Sequence, residues 1–168
     1  MKKINPAEIS ANAIDLIGNR WMLITAGDKE KTNTMTASWG CMGELWHKPV
    51  AVTFIRPQRY TLEFVEANDL FTLSFFDSEY RNALSLLGSK SGRDCDKVAL
   101  AGLTPCLTPD GAAPTFREAS LVLRCRKLYA DRFRADNFID PSIVEKIYAT
   151  GDFHRIFVAE IEAAWVAE

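Results

Sequence analysis

Apolar and polar residues alternate with a period of two in several stretches of the chain, which is the pattern of half-buried β-strands. In the last such stretch, 157–165, every odd-numbered position is apolar and two glutamates lie between them. Stretch 121–128 alternates too, and its face with Arg124 and Arg126 is expected to contact solvent. We predict that both stretches are strands and that the last one closes the sheet.

Shorter apolar runs predict further strands. Runs 50–55 and 70–76 are almost continuously apolar, as is typical of strands buried on both faces. Two more short strands are predicted at 14–17 and 22–26, because a Gly-Asn pair that favours a turn lies between them.

Short helices are predicted between some of the strands. Residues 61–67 fit one helix, and residues 80–87 fit another that ends at the glycine that follows. Asp140 and Pro141 form a strong helix start, and this helix is expected to end near Gly151. Because strands dominate and no G-x-G-x-x-G motif occurs, a β-barrel with peripheral helices is favoured over a doubly wound dinucleotide fold.

Composition narrows the class of protein. The chain has 168 residues, of which 48% are hydrophobic and 25% charged, as expected of one globular domain, 1–168, with one core. The net charge of -2 gives no overall attraction to nucleic acid or to an anionic membrane surface. No apolar run reaches the length of a membrane helix. Neither nucleic acid nor a membrane is an expected partner.

Cysteine usage and the first residues indicate a cytoplasmic protein. Lys2 and Lys3 are followed by Glu8 and Asn12 rather than by an uninterrupted apolar stretch, so export is not expected. The four cysteines include no C-x-x-C pair and there are only two histidines, so no metal site is predicted. We expect reduced thiols.

Three hydroxyl residues, Thr34, Thr36 and Ser38, share one face if the segment Asn-Thr-Met-Thr-Ala-Ser-Trp-Gly forms a strand. Small polar side chains allow a flat ligand to approach the backbone, whose N–H and C=O groups can then bond to it. The alternative is the solvated face of an edge strand, where Ser and Thr are common.

Two arginines and a threonine cluster in the segment Arg-Pro-Gln-Arg-Tyr-Thr, which begins at Arg56. Thr61 is expected to cap the following helix, so that helix amides, this hydroxyl and the guanidinium groups of Arg56 and Arg59 form an anion site. A phosphorylated planar cofactor would suit such a site beside the hydroxyl-lined strand. The alternative is a solvated surface pair with an acidic partner, Glu63 or Glu66.

A charged loop, Ser-Gly-Arg-Asp-Cys-Asp-Lys, begins at Ser91. One interpretation is that Arg93 and Lys97 bring positive charge to a bound phosphate, including from across a dimer interface. The alternative is a turn followed by a helix cap at Asp94, because Ser-Gly is a frequent turn dipeptide.

Together these segments resemble the flavin reductase family, and within it the flavoredoxin-type branch. The resemblance rests on Asn-Thr-Met-Thr-Ala-Ser-Trp, on the Trp and Pro of Trp-His-Lys-Pro at 46–49, on Arg-Pro-Gln-Arg-Tyr-Thr, on the loop from Ser91, and on Gly-Asp-Phe-His-Arg-Ile-Phe at 151–157. They occur in the expected order along nearly the whole chain. The resemblance implies a mainly β fold, an FMN-binding split β-barrel with peripheral short helices, usually a homodimer.

The resemblance also implies roles for particular residues. Backbone groups of 36–39 would contact the polar edge of the flavin ring, with the hydroxyls of this segment as further partners, while Arg56, Arg59 and Thr61 would hold the phosphate. His154 would act near the donor pocket as a positioning or proton-supplying group, the alternative being a purely structural histidine. The implied cofactor-binding residues are Met35, Thr36, Ala37, Ser38, Trp39, Arg56, Arg59, Tyr60, Thr61, Ser91, Arg93 and Lys97.

The function implied is an FMN-binding flavin reductase or flavoredoxin-like oxidoreductase that takes electrons from NADH, NADPH or a redox partner protein. The alternatives are an FMN-carrying electron-transfer protein without its own NAD(P)H reductase activity, an oxidase-like relative, and a split barrel with an empty or haem-holding pocket. Two departures from the family pattern concern the cofactor surroundings. Ala159 stands where many relatives carry glycine, and Trp39 and Gly40 replace a serine and a phenylalanine.

Overall fold

Long antiparallel strands organise the chain, whose computed structural model describes residues 1–28 and 30–168. The strands are β1 (Lys2–Ile4), β2 (Met22–Gly27), β3 (Thr32–Ala37), β4 (Gly40–Leu45), β5 (Lys48–Ile55), β6 (Leu70–Phe75), β7 (Pro105–Leu107), β8 (Pro114–Phe116), β9 (Leu121–Arg132) and β10 (Arg155–Val166). The α-helices are α1 (Thr61–Ala67), α2 (Arg81–Ser89), α3 (Lys97–Ala101) and α4 (Pro141–Ile147). Single helical turns lie at Pro6–Glu8, Asp15–Arg20, Ser78–Tyr80 and Ala135–Asn137.

One large sheet has the strand order β3-β2-β6-β9-β10-β5-β4, and β1 pairs with the far end of β10. Neighbouring strands in it are antiparallel, and β7 and β8 form a separate hairpin. The last strand therefore lies between β9 and β5 rather than at an edge. The predicted mainly β architecture with short peripheral helices is confirmed.

The sheet separates two apolar clusters. Alternation along β2 shows why both of its faces are buried, since Met22 and Ile24 pack in the first cluster and Leu23 in the second. The first cluster also takes in α1 through Phe64 and Val65. The second lies between the sheet and α2, with β8 beside it. Both faces of β6 are buried too, as predicted for the almost continuously apolar run 70–76.

A β-bulge changes the faces of the last strand. Ile161 pairs with Cys125 and Ala163 with Arg124, which leaves Glu162 as an extra residue on β10. Beyond the bulge, Ala163 and Trp165 pack in the second cluster instead of the first. The predicted single apolar face over 157–165 is therefore wrong in its second half, because one inserted residue reverses every later side chain.

The prediction of a strand at 14–17 is also wrong. The backbone N–H of Ile14 donates to the side chain of Asn12 at 2.9 Å, and the amide of Asn19 donates to Asp15 at 2.9 Å. These short-range bonds stabilise a helical turn over Asp15–Arg20. In contrast, α1 has the predicted bounds, and Asp140 caps α4 by accepting from the Ser142 N–H at 3.0 Å.

Within the described residues, no helix has the length and apolarity needed to cross a membrane. The same residues contain no group of three or more His, Cys, Asp or Glu side chains placed to hold a metal ion. The four cysteines are free thiols, and burial raises the pKa of Cys106 and of Cys125. A thiol with a raised pKa is a poor nucleophile, so these two cysteines are unsuited to thiolate chemistry.

Candidate functional site

Strand register brings two of the predicted segments together at one end of the sheet. Ile55 of β5 pairs with Arg155 of β10, so Arg56 and His154, which directly adjoin this pair, lie at the same sheet end. The link between β3 and β4 contributes Trp39, whose ring centroid is 5.2 Å from that of His154. A cavity of about 370 Å³ opens here, which we call the His154 cavity. Its lining is Met35, Thr36, Ala37, Ser38, Trp39, Phe54, Arg56, Gln58, Arg59 and His154.

A smaller neighbouring space, which we call the Lys97 pocket, has a volume of about 120 Å³. It shares Met35, Gln58 and Arg59 with the His154 cavity, so the two spaces are adjacent. Its full lining is Met35, Gln58, Arg59, Tyr60, Thr61, Ser89, Lys90, Ser91, Gly92 and Lys97. The structure thus brings the predicted site residues into one region, with only Arg93 outside both linings.

Two of the three predicted ligand-facing hydroxyls already have partners within the protein. The Thr34 hydroxyl lies 2.8 Å from that of Thr25 and is buried, and the Thr36 hydroxyl donates to the Leu84 carbonyl of α2. A Cβ at Gly88 would lie 3.3 Å from that of Thr36, so a glycine allows α2 to pack closely on β3. The alternative of a solvated face is wrong here, because α2 covers it.

Arg59 contacts backbone carbonyls rather than carboxylates. Its guanidinium donates to the Gly88 carbonyl at 2.7 Å and to the Thr36 carbonyl at 3.4 Å. Burial lowers its pKa from the ordinary arginine value. Within the described residues, no carboxylate forms an ion pair with it, so the positive charge of Arg59 faces the junction of the two spaces uncompensated.

Arg56 has the opposite surroundings. Its guanidinium forms an ion pair with Asp152, donates to the Ile147 carbonyl at 3.1 Å and lies 5.5 Å from the centroid of the Tyr148 ring. Bonds from Gln58 and then Arg56 hold the pKa of the Asp152 carboxyl well below its usual range. The proposed surface partners of the arginine pair bind other cations, since Glu63 pairs with Arg93 and Glu66 with Arg155.

Lys97 is the most deeply buried cation of the site, with 4% of its surface exposed. Its ammonium donates to the carbonyls of Leu87 and Lys90, each at 3.1 Å. Burial first, and the nearby Arg59 charge second, lower its pKa to about 8. An ammonium has three N–H donors and two are used, which leaves one for a ligand in the pocket.

The loop before Lys97 is held by tight local packing. A Cβ at Gly92 would lie 2.2 Å from the side-chain oxygen of Asn33, whose amide donates to the buried Thr61 hydroxyl at 2.8 Å. Thr61 therefore does not cap α1 as predicted, because its oxygen is used by Asn33 and the cap position is Tyr60. The predicted helix cap at Asp94 is also wrong.

Asp96 caps α3 instead, by accepting from the Ala99 N–H at 3.1 Å. Arg93 stacks over the Tyr60 ring at 4.4 Å, so its charge lies against an aromatic face and Glu63. The Ser91 hydroxyl accepts from the Arg93 backbone N–H at 3.2 Å. Arg93 thus supports the wall of the Lys97 pocket from behind.

His154 is 6% exposed and bonds through Nδ1 to the Tyr148 hydroxyl at 2.8 Å. Burial first and the Arg56 charge second lower its pKa to about 4, with the Asp152 charge acting in the opposite direction. The imidazole is therefore neutral at neutral pH. Sequence reasoning missed Gln58 and Asp152, although both lie inside the segments that carry the resemblance, and it had no pattern from which to find Tyr148.

An apolar groove of about 700 Å³ adjoins the His154 cavity through Ser38, Trp39 and Phe54. It is lined by side chains of the helical turn Asp15–Arg20, of the segment after β9 that contains Phe133 and Phe138, and of α4. The Trp39 side chain is 46% exposed. The lining residues include Ile14, Ile17, Met42, Phe133, Phe138, Ile143, Ile147 and Tyr148.

The mainly β fold with short helices is that of the split barrels found among similar solved structures. The family model described as "Flavin reductase like domain" matches residues 15–168. The chain belongs to this family, which confirms the resemblance seen in the sequence.

Solved structures share the fold at low sequence identity. Flavoredoxin from Methanosarcina acetivorans is 24% identical with a TM-score of 0.70, over 89% of this chain and 69% of that one. An FMN-binding domain of a flavin reductases-like enzyme from Shewanella baltica OS155 is 19% identical with a TM-score of 0.71, over 98% and 76%. An NADH:FAD oxidoreductase from Streptomyces globisporus C-1027, solved with NAD and FAD fragments, is 16% identical with a TM-score of 0.64, over 88% and 43%. No curated protein matches the sequence.

Proposed function

We propose that the chain binds FMN across the two adjacent spaces and acts as a flavin reductase that takes electrons from NADH or NADPH. The observation that carries this proposal is the pair of cations, Arg59 and Lys97, that face a small pocket without a carboxylate partner among the described residues. Buried cations of this kind are stabilised by an anion. A ring attached to that anion would occupy the larger His154 cavity.

The residues present fit such a cofactor. Ser38 and Trp39 lie between β3 and β4, outside both strands, so their peptide groups are available to the polar edge of a ring. Arg59, Lys97 and Ser91 would hold the phosphate, with Tyr60, Thr61 and Arg93 forming and supporting the pocket wall. Arg56 lies at the other end, beside His154. Bound FMN would supply the redox chemistry, while the protein orients it and excludes water.

The single domain 1–168 would work in the cytoplasm as a homodimer, and the adjoining apolar groove, with exposed Ile14 and Trp39 at its margin, supports burial against a second copy. A nicotinamide donor is supported by the fold shared with the NADH:FAD oxidoreductase that was solved with NAD and FAD fragments.

A second candidate function is an FMN-carrying electron-transfer protein that has no NAD(P)H reductase activity of its own and exchanges electrons with a redox partner protein. The half-exposed Trp39 ring at the mouth of the His154 cavity favours it, because an aromatic group at the surface gives a partner protein a contact close to the ring site.

Purification followed by a steady-state assay tests both functions. We expect a yellow protein with flavin absorption bands that oxidises NADH or NADPH when free FMN is added. A yellow protein that consumes neither nicotinamide, and is reduced only by a partner protein, would instead establish the carrier. A protein whose addition leaves the absorption and fluorescence of FMN unchanged, and which oxidises neither nicotinamide when FMN is present, would refute both.

A further inference from the structure

Tyr148 and His154 form a buried pair at the back of the His154 cavity. The phenol oxygen lies 2.8 Å from Nδ1, and the two rings meet edge to face at 83° with centroids 5.6 Å apart. Tyr148 is 5% exposed and follows α4, whereas His154 directly precedes β10. Two separate elements therefore fix this contact.

Either group could donate in this bond, depending on which imidazole nitrogen carries the hydrogen. Burial raises the pKa of Tyr148, so its hydroxyl keeps its proton at neutral pH, and within the described residues it has no acceptor other than Nδ1. A phenol that donates to Nδ1 requires a lone pair on that nitrogen. The neutral imidazole must then carry its own hydrogen on Nε2.

The Nε2 atom is accessible from the cavity. Among the described residues Nε2 has no hydrogen-bond partner. It is nevertheless not fully enclosed, unlike the unpartnered side-chain atoms of Thr53, Arg124 and Arg155. Since the His154 side chain lines the cavity and Nδ1 is taken by Tyr148, the Nε2–H group is the part of the ring that a ligand can reach.

We propose that Tyr148 is a positioning residue that fixes His154 as the Nε2–H tautomer, so that the cavity offers a neutral N–H donor to a carbonyl oxygen of its ligand. This inference rests on the proposed function in one respect, namely that the ligand is a flavin or a nicotinamide, both of which carry such oxygens. Of the two roles implied by the sequence, it assigns His154 the positioning one and excludes proton supply.

The surroundings of the pair support a donor that stays neutral. The charged groups that face it are Arg56, from the loop after β5, and Asp152, from the turn before β10, and they pair with each other. Trp39 covers the ring from the β3–β4 link without adding a charge. Protonation of Nδ1 would place a second hydrogen against the phenol hydrogen, close to the Arg56 guanidinium.

Nitrogen-15 NMR of the purified protein tests the assignment without any flavin. The chain has only two histidines, His47 and His154, so a His47→Gln variant assigns the spectrum. We expect His154 to have a protonated Nε2 and an unprotonated Nδ1 from pH 8 down to pH 5. An Nδ1–H tautomer, or a His154 that titrates near the ordinary histidine value, would overturn the proposal.

Tyr148→Phe then tests the role of the phenol, with Tyr129→Phe as a matched control. Tyr129 also loses a hydroxyl that donates to a neighbour, in this case Asp131 at 2.7 Å, but on an exposed strand end. In folded Tyr148→Phe we expect a mixture of tautomers and a raised His154 pKa. An unchanged spectrum in that variant would show that Tyr148 does not set the tautomer.

Two substitutions of His154 extend the test to ligand binding and turnover. The side-chain N–H of Gln reaches the region of Nε2, whereas that of Asn reaches the region of Nδ1. We expect flavin reduction to be about tenfold faster in His154→Gln than in His154→Asn, because only the Gln side chain replaces the donor at Nε2. Equal rates would contradict a role for the Nε2 donor. Absence of reduction in the unmodified protein would count against the proposed function only, because the NMR result is independent of it.

Discussion

Arg56 and Arg59 lie three residues apart on one loop, yet their charges have opposite surroundings. Arg56 is neutralised by Asp152, while Arg59 donates to the carbonyls of Gly88 and Thr36 and has no carboxylate partner within the part of the chain that the structure describes. The Arg59 charge also lowers the pKa of Lys97. Two unpaired cations beside one small pocket repel each other unless an anion joins them. The Arg59 end of the site therefore suits an anion, whereas the Arg56 end suits a neutral ligand.

The size of the effect at Lys97 supports this distinction. Lowering the pKa of Lys97 from 10.5 to about 8 corresponds to roughly 3 kcal/mol against the charged form, and Lys97 is almost wholly buried. A phosphate in the Lys97 pocket would return part of this free energy to the complex. No comparable gain exists at Arg56, because its carboxylate partner is already present.

The largest expected effect comes from removing both uncompensated cations. In Arg59→Gln with Lys97→Met, FMN should bind more than about 100-fold more weakly, because each charge-assisted bond contributes about 1.5 to 3 kcal/mol. Riboflavin, which lacks the phosphate, should change by less than about threefold. Titrations followed by flavin fluorescence measure both dissociation constants.

The matched control for this pair is a double substitution of two cations elsewhere, Lys2→Met with Lys146→Met, which should leave both affinities unchanged. Lys97→Met keeps the packing of the lysine stem, so thermal unfolding checks that the variant is folded. Equal losses of affinity for FMN and riboflavin would show that the phosphate does not bind in the Lys97 pocket.

Local sequence patterns predicted the helices well where apolar spacing or cap chemistry alone determines where a helix begins or ends. The bounds of α1 and the Asp140 cap of α4 followed from apolar spacing and cap chemistry. The bulge at Glu162 did not, because a single-residue insertion leaves the alternation intact in sequence and changes only the pairing with β9. The turn over Asp15–Arg20 was missed because side-chain bonds to Asn12 and Asp15 outweigh an apolar run too short to define a period.

The candidate site shows the same limit at the level of single side chains. The segments that line it could be found in the sequence, since residues 35–39, Arg59 and Lys97 all line the two spaces. The partner of each charge could not be found, because Asp152 lies 96 positions after Arg56 and meets it only through the pairing of β5 with β10. Tyr148 lies only six positions before His154, but no sequence pattern between α4 and β10 indicates that the two side chains meet.

The second prediction uses pH to sharpen the comparison. Because a phosphate favours the charged form of Lys97, whose pKa is about 8 in the free protein, FMN affinity should fall as pH rises above that value. Between pH 7 and pH 9.5 we expect a loss of about tenfold for FMN and a flat profile for riboflavin. Lys97→Met should abolish the slope, and a slope that survives in this variant would assign the titration to another group.

The smallest expected effect concerns Arg56, and it decides between two versions of the phosphate site. If Arg56 held the phosphate together with Arg59, as the sequence alone implied, Arg56→Ala would weaken FMN by about tenfold and spare riboflavin. Because Asp152 already pairs with Arg56, we expect instead a change below about threefold that is equal for the two flavins. Arg56 also lowers the pKa of His154, second to burial, so the variant should raise that pKa while leaving it below 6.5. Parallel titrations of Arg56→Ala and Arg59→Ala with both flavins measure the affinities, and the His154 NMR signal measures its pKa. If Arg56→Ala lost as much affinity for FMN as Arg59→Ala and kept its affinity for riboflavin, both arginines would bind the phosphate.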